Sequence, residues 1–298
     1  MDETTLTTTI TAALGAPVRA IRPLGSSFAG RLYRVHSAAG DFALKWAERP
    51  APGALAAEAR GLELLAATGA LRVPQVRAVH DPSLDGGTAP AFLLLEWLDG
   101  GGAAPDMAAL GTALAALHRH SGPAYGLDHD NYLGATPQLN AFHADWPTFF
   151  RERRLAPQVA LAARNGLLPT ARRRALERLL ARVDELLAGV PRQPALIHGD
   201  LWAGNLLAAD ASGLPALIDP AVYYADREAE LAYTELFGGF SRRFYEAYNA
   251  EWPLEPGYAD RRDLYNLYHL LNHLNIFGKQ YGPQVDAIAR RYAGPLSP

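Results

Sequence analysis

Three side chains in the middle of the chain restrict the folds open to it more than any other feature. Asp200 is followed five residues on by Asn205, and fourteen residues beyond that by Asp219. They stand in His198-Gly199-Asp200-Leu201-Trp202-Ala203-Gly204-Asn205 and in Ile218-Asp219-Pro220. A carboxylate, an amide and a second carboxylate at this spacing suit phosphoryl transfer from ATP. One Asp orients the attacking hydroxyl and takes its proton, while an Asn and a second Asp hold Mg²⁺ on the triphosphate. The pattern H-R-D-x-x-x-x-N followed by D-F-G has the same spacing logic, with Gly here for Arg and Asp-Pro for Asp-Phe-Gly.

Asp200 is therefore the expected base, and Asn205 and Asp219 the expected Mg²⁺ ligands. Mg²⁺ keeps several waters, so one amide oxygen, one carboxylate and phosphate oxygens suffice. Asp219 follows the apolar run Ala216-Leu217-Ile218, which places it at the end of a buried strand. His198 is expected to tie the loop to its surroundings rather than act in catalysis.

Of the 28 basic residues only two are lysines, Lys45 and Lys279. A lysine kept in a chain this rich in arginine suggests a task that needs a compact ammonium. Lys45 lies in Phe42-Ala43-Leu44-Lys45-Trp46, where strand alternation puts Phe42, Leu44 and Trp46 on one face and Lys45 on the other. It is expected to pair with the α- and β-phosphates, held by Glu58 of the following helix. The segment Gly25-Ser26-Ser27-Phe28-Ala29-Gly30 reads as a loop that covers the phosphates with backbone N–H groups. Glu96, Trp97 and Leu98 end an apolar strand, where their backbone groups can meet the adenine edge. The pair His269 and His273 lacks the Glu of H-E-x-x-H and reads as a satisfied helix pair or a single substrate contact. His118-Arg119-His120 reads as the cationic end of a helix.

Hydrophobic residues make up 49% of the 298, enough for a sizeable core. A net charge of −3 gives no basic field for nucleic acid. The absence of cysteine excludes disulfides, thiolate catalysis and Cys-ligated zinc. The first ten residues lack a basic or apolar leader pattern, and no apolar run approaches a membrane span. The expectation is a cytoplasmic protein with no membrane partner.

Strand patterns cover 18–24, 31–36, 42–46, 74–80 and 91–98, with a short N-terminal helix through Leu6, Ile10, Ala13 and Leu14 and a helix over 52–68. Past the joint Asp99-Gly100-Gly101-Gly102, helical patterns dominate. The expected architecture is α+β and two-lobed, like a protein kinase. Residues 1–99 form a small strand-rich nucleotide-binding lobe and 100–298 a large helical lobe for catalysis and acceptor binding. ATP is expected in the cleft between the lobes.

The stretch from His198 to Asn205 resembles the HGDLW-x-GN signature of the fructosamine kinase family. The block from Ile218 to Phe240 is closer still, and Asp130 to Gln138 and Leu267 to Asn275 also look like family segments. Ala203 and Ala225 stand where the family commonly has Ser and Gly, small for small. The phosphate loop has no cysteine, so a thiol switch cannot operate in it. The resemblance implies ATP-dependent phosphorylation of a sugar 3-hydroxyl on a ketoamine, a fructosamine or ribulosamine, borne by a small amine or a glycated protein and linked to deglycation. It implies Asp200 as proton acceptor and Glu96 to Leu98 as adenine hinge. Trp202, Asp226, Asn131 and His273 fall in or beside the family-like blocks and are candidates for the acceptor pocket. Asp226-Arg227-Glu228 reads equally well as a buried ion-pair network. Two other functions remain open at this stage: a kinase for an aminoglycoside or a choline-like amine, and a non-catalytic nucleotide-binding regulator.

Overall fold

The computed structural model describes residues 3–82, 87 and 90–294. The fold is α+β and two-lobed, built as two compact units: Met1–Asp106 with Asn205–Ala221, and Met107–Gly204 with Val222–Pro298. The division differs from a single break at residue 99. Residues 205–221 return to the first unit because the Leu217 N–H donates to the Arg72 carbonyl at 2.9 Å and the Asp106 N–H to the Gly213 carbonyl at 2.9 Å.

The first unit is built on a five-stranded antiparallel sheet. Its strands are β1 (Val18–Ser27), β2 (Gly30–Ser37), β3 (Gly40–Ala47), β4 (Val76–His80) and β5 (Ala91–Glu96), in the order β1-β2-β3-β5-β4. Leu6 and Ile10 of helix α1 (Glu3–Leu14) pack on one face with Val35, Phe42, Leu44, Trp46 and Leu94. Alternation along β3 sends Lys45 to the opposite face. Helix α2 (Ala54–Ala67) buries Leu55, Leu62 and Leu65, and the Asp81 carboxylate caps its first turn by accepting from the Leu55 and Ala56 N–H groups.

The segment 25–30 differs from the expected loop. Gly25, Ser26 and Ser27 belong to β1 and pair with Leu32, Arg31 and Gly30 of β2, so only Phe28 and Ala29 turn the chain. A Ser- and Gly-rich stretch reads as flexible, yet a two-residue hairpin keeps it in register. Gly30 is required here: its φ is +140°, and a Cβ on it would lie 2.2 Å from the Trp46 carbonyl oxygen.

The second unit is mainly helical. Helix Tyr258–Phe277 buries Leu264, Leu267, Leu270, Leu271 and Leu274 and runs against helix Arg227–Leu236. Helices Met107–His118 and Arg242–Glu251 approach closely because Gly111 has no side chain; a Cβ there would meet the Phe244 carbonyl oxygen at 2.2 Å. The helical run from Trp146 passes through a π-turn over Phe150–Leu155 before Ala156–Arg164. Strand Ala195–Ile197 pairs antiparallel with Tyr223–Ala225 and leads straight into the His198 loop. No helix among the described residues is long and apolar enough to cross a membrane.

Candidate active site

The first unit gathers Lys45, Glu58 and Asp219. Lys45 Nζ lies 2.6 Å from Glu58 Oε1 and 2.6 Å from Asp219 Oδ1, and Lys45 is only 5% exposed. Burial alone would lower the ammonium's pKa; the charges of Glu58 and Asp219 outweigh it and hold the pKa above its ordinary value. An ammonium has three donors, so two carboxylates leave one for another anion. Asp219 follows strand Pro215–Leu217 and adopts φ +56°, the only non-glycine residue with positive φ among those described. Asp tolerates the left-handed region better than most residues, and such strained positions concentrate at functional sites.

The Ile218 N–H donates to the Asn205 carbonyl at 3.0 Å, which fixes Asp219's strand end to Asn205. Asn205 is buried, whereas the Asp219 side chain keeps about a third of its surface, 32%. A carboxylate at Asp219 and an amide at Asn205 are both hard-oxygen groups of the kind Mg²⁺ takes. Among the described residues no group of three His, Asp or Glu side chains could hold a metal by itself.

Ser26, Ser27 and Gly30 line an open cavity of about 290 Å³ with Trp46, Glu48 and Arg49. Glu96 ends β5 and its side chain is engaged: Arg72 Nη2 donates to Oε1 at 2.5 Å and the Gln75 N–H to Oε2 at 3.1 Å. Burial raises the Glu96 pKa, but the Arg72 hydrogen bond, the Gln75 N–H and the charges of Arg72 and Arg77 together outweigh it and hold it below its ordinary value. Trp97 carries the Arg34 guanidinium 4.3 Å from its ring centre, and Leu98 follows. The Glu96 carboxylate thus ties the end of β5 to Arg72 and Gln75.

Asp200 lies in the second unit on a loop held from beneath by Glu230. This buried carboxylate accepts the Gly199 N–H at 2.7 Å and the His198 N–H at 3.0 Å. It also lies 3.0 Å from His118 Nε2, whose Nδ1 is 2.9 Å from the Tyr248 hydroxyl. Burial would raise the Glu230 pKa; the His118 bond, the nearby imidazoles and the Gly199 N–H prevail and lower it. His118 is accordingly a buried partner of the loop's anchor and not merely a favourable cation at a helix end. Gly199 takes φ +83°, which permits the sharp turn before Asp200. Tyr233, itself buried, gives its hydroxyl to Asp200. Its ring stacks on His269 at 3.5 Å and 7°. Burial and Asp200 together keep the Tyr233 pKa far above the usual phenol value, so it remains a donor.

Glu230 and Tyr233 escape a reading of sequence alone. Both fall inside the 218–240 block, four and seven residues after Asp226, on an amphipathic helix where a buried Glu cannot be told from an exposed one. The loop's need for a partner to its N–H groups is the one available signal.

The four acceptor candidates separate. Trp202 is 42% exposed, and its indole lies over Gly204, where a Cβ would be 2.2 Å from Cη2. His273 is partly buried, Nδ1 lies 2.8 Å from the His269 carbonyl, and burial lowers its pKa. Asp226 is instead the ion-pair reading: Arg192 Nε and the Tyr265 hydroxyl each donate to Oδ2 at 2.6 Å, and Oδ1 caps helix Arg227–Leu236 through the Glu228 N–H. Asn131 is likewise structural. Its amide donates to the Val222 carbonyl at 2.9 Å, and its oxygen accepts from Gln138 at 2.8 Å and Asn140 at 2.9 Å. Both are buried with their polar atoms occupied, so neither is offered to an acceptor.

The model of the family described as fructosamine kinase matches residues 3–293. A protein named probable ketoamine kinase from Synechocystis sp. is 45% identical over 239 residues, 79% of this chain and 77% of its own. The chloroplastic protein-ribulosamine 3-kinase of Arabidopsis thaliana is 36% identical over 256 residues, 85% of this chain and 76% of its own. The crystal structure of a Thermobifida fusca protein described as a candidate fructosamine-3-kinase superposes with a TM-score of 0.86. It is 35% identical, over 98% of this chain and 99% of that one. An aminoglycoside phosphotransferase solved with ADP and hygromycin B has a TM-score of 0.65 at 15% identity, over 98% of this chain and all of that one, and shares the fold alone. With a match from the first helix to the last and relatives well above 30% identity, the chain belongs to the fructosamine kinase family.

Proposed function

We propose that this protein is a ketoamine 3-kinase, which transfers the γ-phosphoryl group of ATP to the sugar 3-hydroxyl of a ribulosamine or fructosamine. The observation that carries the reading is the pairing of Lys45 with both Glu58 and Asp219, in a chain whose family match runs from 3 to 293. A regulator has no need of the base Asp200, and the aminoglycoside phosphotransferases share only the fold.

Lys45 directs its third N–H to the α- and β-phosphates, while Glu58 keeps the ammonium in place. The Asn205 amide oxygen and Asp219 Oδ2 are the donors for Mg²⁺, which neutralises charge on the phosphates when bound. Backbone groups of Gly25, Ser26, Ser27 and Gly30 border the phosphates, and those of Glu96, Trp97 and Leu98 border the adenine. Asp200 accepts the proton of the attacking hydroxyl as the O–P bond forms, and ADP carries away the electron pair of the bond that breaks. Tyr233 and Glu230 hold Asp200 and its loop, so the carboxylate is oriented before the acceptor arrives. Trp202 offers an exposed aromatic face to the sugar. The acceptor is a ketoamine on a small amine or on a glycated protein, with no part for nucleic acid or a membrane.

The test is incubation with Mg·ATP and ribulosyl-lysine, fructosyl-lysine, an aminoglycoside or choline, followed by mass and phosphorus NMR of the products. A phosphorylated ketoamine is expected. Phosphorylation of choline or the aminoglycoside with no ketoamine product overturns the reading.

A further inference from the structure

Two exposed aromatic rings and two partly buried ones lie side by side in the second unit. Phe237 follows helix Arg227–Leu236 and is 42% exposed; Phe277 ends helix Tyr258–Phe277 and is 46% exposed. The ring of His273 lies between them, 4.9 Å from Phe237 and 5.3 Å from Phe277. Tyr281 adds a fourth ring, 5.0 Å from His273 and 6.0 Å from Phe277. Single exposed aromatics are ordinary on protein surfaces, but a contiguous set marks a binding surface.

Two contacts attach this shelf to the catalytic loop. Gly239, two residues after Phe237, comes so close to Ala203 that a Cβ on it would stand 2.4 Å from the alanine's own. Tyr233 meets Phe237 edge to face at 6.0 Å and gives its hydroxyl to Asp200. The shelf therefore begins where the base is held and continues away from it. Trp202, 42% exposed, stands on the same loop. His273 donates Nδ1–H to the His269 carbonyl at 2.8 Å, which fixes its ring plane, and burial lowers its pKa.

We propose that Phe237, Phe277 and Tyr281, gathered around His273, seat the amine-side substituent of the acceptor, and favour an apolar or aromatic amine over a small acidic one. This rests on the ketoamine reading above. The reacting sugar hydroxyl must reach Asp200, so the rest of a ketoamine extends over the neighbouring surface. A hydrocarbon or aryl group laid on the shelf buries apolar area and gains offset ring contacts. A protonated ketoamine nitrogen also gains from the negative ring faces, whereas a carboxylate gains nothing from them.

The test uses two ribulosyl adducts, one of benzylamine and one of glycine, with wild type, Phe237→Ala, Phe277→Ala and Phe277→Leu. Wild type should prefer the benzylamine adduct through a lower KM. Each alanine variant should lower the benzylamine-to-glycine ratio of kcat/KM by about tenfold, carried mainly by KM. Phe277→Leu keeps apolar volume without a π face and should lower the ratio by about threefold. A ratio within twofold of wild type in all the folded variants, or a wild type that prefers the glycine adduct, overturns the shelf and leaves the kinase reading standing. Absence of turnover with both adducts, in wild type, overturns the ketoamine reading and the shelf with it.

Discussion

Lys45 Nζ lies 2.6 Å from Asp219 Oδ1 although 174 residues separate them in sequence. The contact joins the third strand of the sheet to the end of a strand formed far later in the chain. It makes one buried ammonium the hub of both the helix carboxylate and the expected metal ligand.

Lys45→Arg should therefore abolish function while keeping the charge. A planar fork cannot occupy a site shaped for a point ammonium between two carboxylates each 2.6 Å away. The expected loss in kcat/KM for ATP is about 100-fold or more, of the order seen when a positioned hydrogen-bond donor is lost. Wild-type values in the variant would show that this lysine is incidental.

The same ammonium should leave a mark on stability at alkaline pH. Its pKa is raised in the folded state, so the stabilisation is fully present below the unfolded lysine pKa of about 10.4. It is lost as pH rises through the higher folded value. Urea titrations of wild type and Lys45→Met between pH 8 and 11.5 should converge toward the alkaline end. Parallel curves throughout would remove the linkage.

Glu230→Gln should slow catalysis from beneath the loop. The amide has one acceptor oxygen for the donors that now share a carboxylate, and its NH₂ opposes them. Stability should fall by about 1–3 kcal/mol, and kcat should drop with little change in KM for ATP. Since the folded pKa of Glu230 is lowered, its contribution is present above the unfolded value of about 4.3 and is lost as pH falls through the folded one. The variant's melting temperature should consequently depend less on pH below about 4.3. An unchanged acid dependence would deny Glu230 its ionised role.

How far these features could be read from the sequence depends on what fixes each one. The contact of Lys45 with Glu58 is legible because strand alternation sends Lys45 away from Phe42, Leu44 and Trp46, and Glu58 follows in an amphipathic helix. Asp219 is legible because three apolar residues precede it. Asp226 and Asn131 are not, because their partners are remote: Arg192 and Tyr265 for one, Val222 and Gln138 for the other. A local sequence motif says nothing about whether a polar atom is already occupied by a distant residue. The hairpin at 25–30 was obscured by its own composition, since Ser and Gly suit a tight turn and a loose loop alike. The anchoring of the His198 loop by Glu230 and His118 depends on three helices packing together, with Tyr248 as the third contributor.

Asp226→Asn should separate bracing from substrate binding. It weakens a buried pair with Arg192, at a cost of about 3–5 kcal/mol if the guanidinium is left without a counter-charge. Denaturant midpoints should fall, while KM for the acceptor, measured where the variant is folded, should stay near wild type. A large rise in acceptor KM with unchanged stability would restore Asp226 to the pocket.

The most direct test is a paired measurement on wild type and Asp200→Asn, with Mg·ATP and ribulosyl-lysine. Product phosphate is followed by phosphorus NMR and nucleotide affinity by calorimetry on the same preparations. Removal of the base should lower turnover by about 10²–10⁴-fold and leave Mg·ATP affinity close to wild type, since Lys45, Glu58, Asn205 and Asp219 are untouched. Near-normal turnover by Asp200→Asn would contradict the assignment of Asp200 as the group that accepts the sugar hydroxyl's proton.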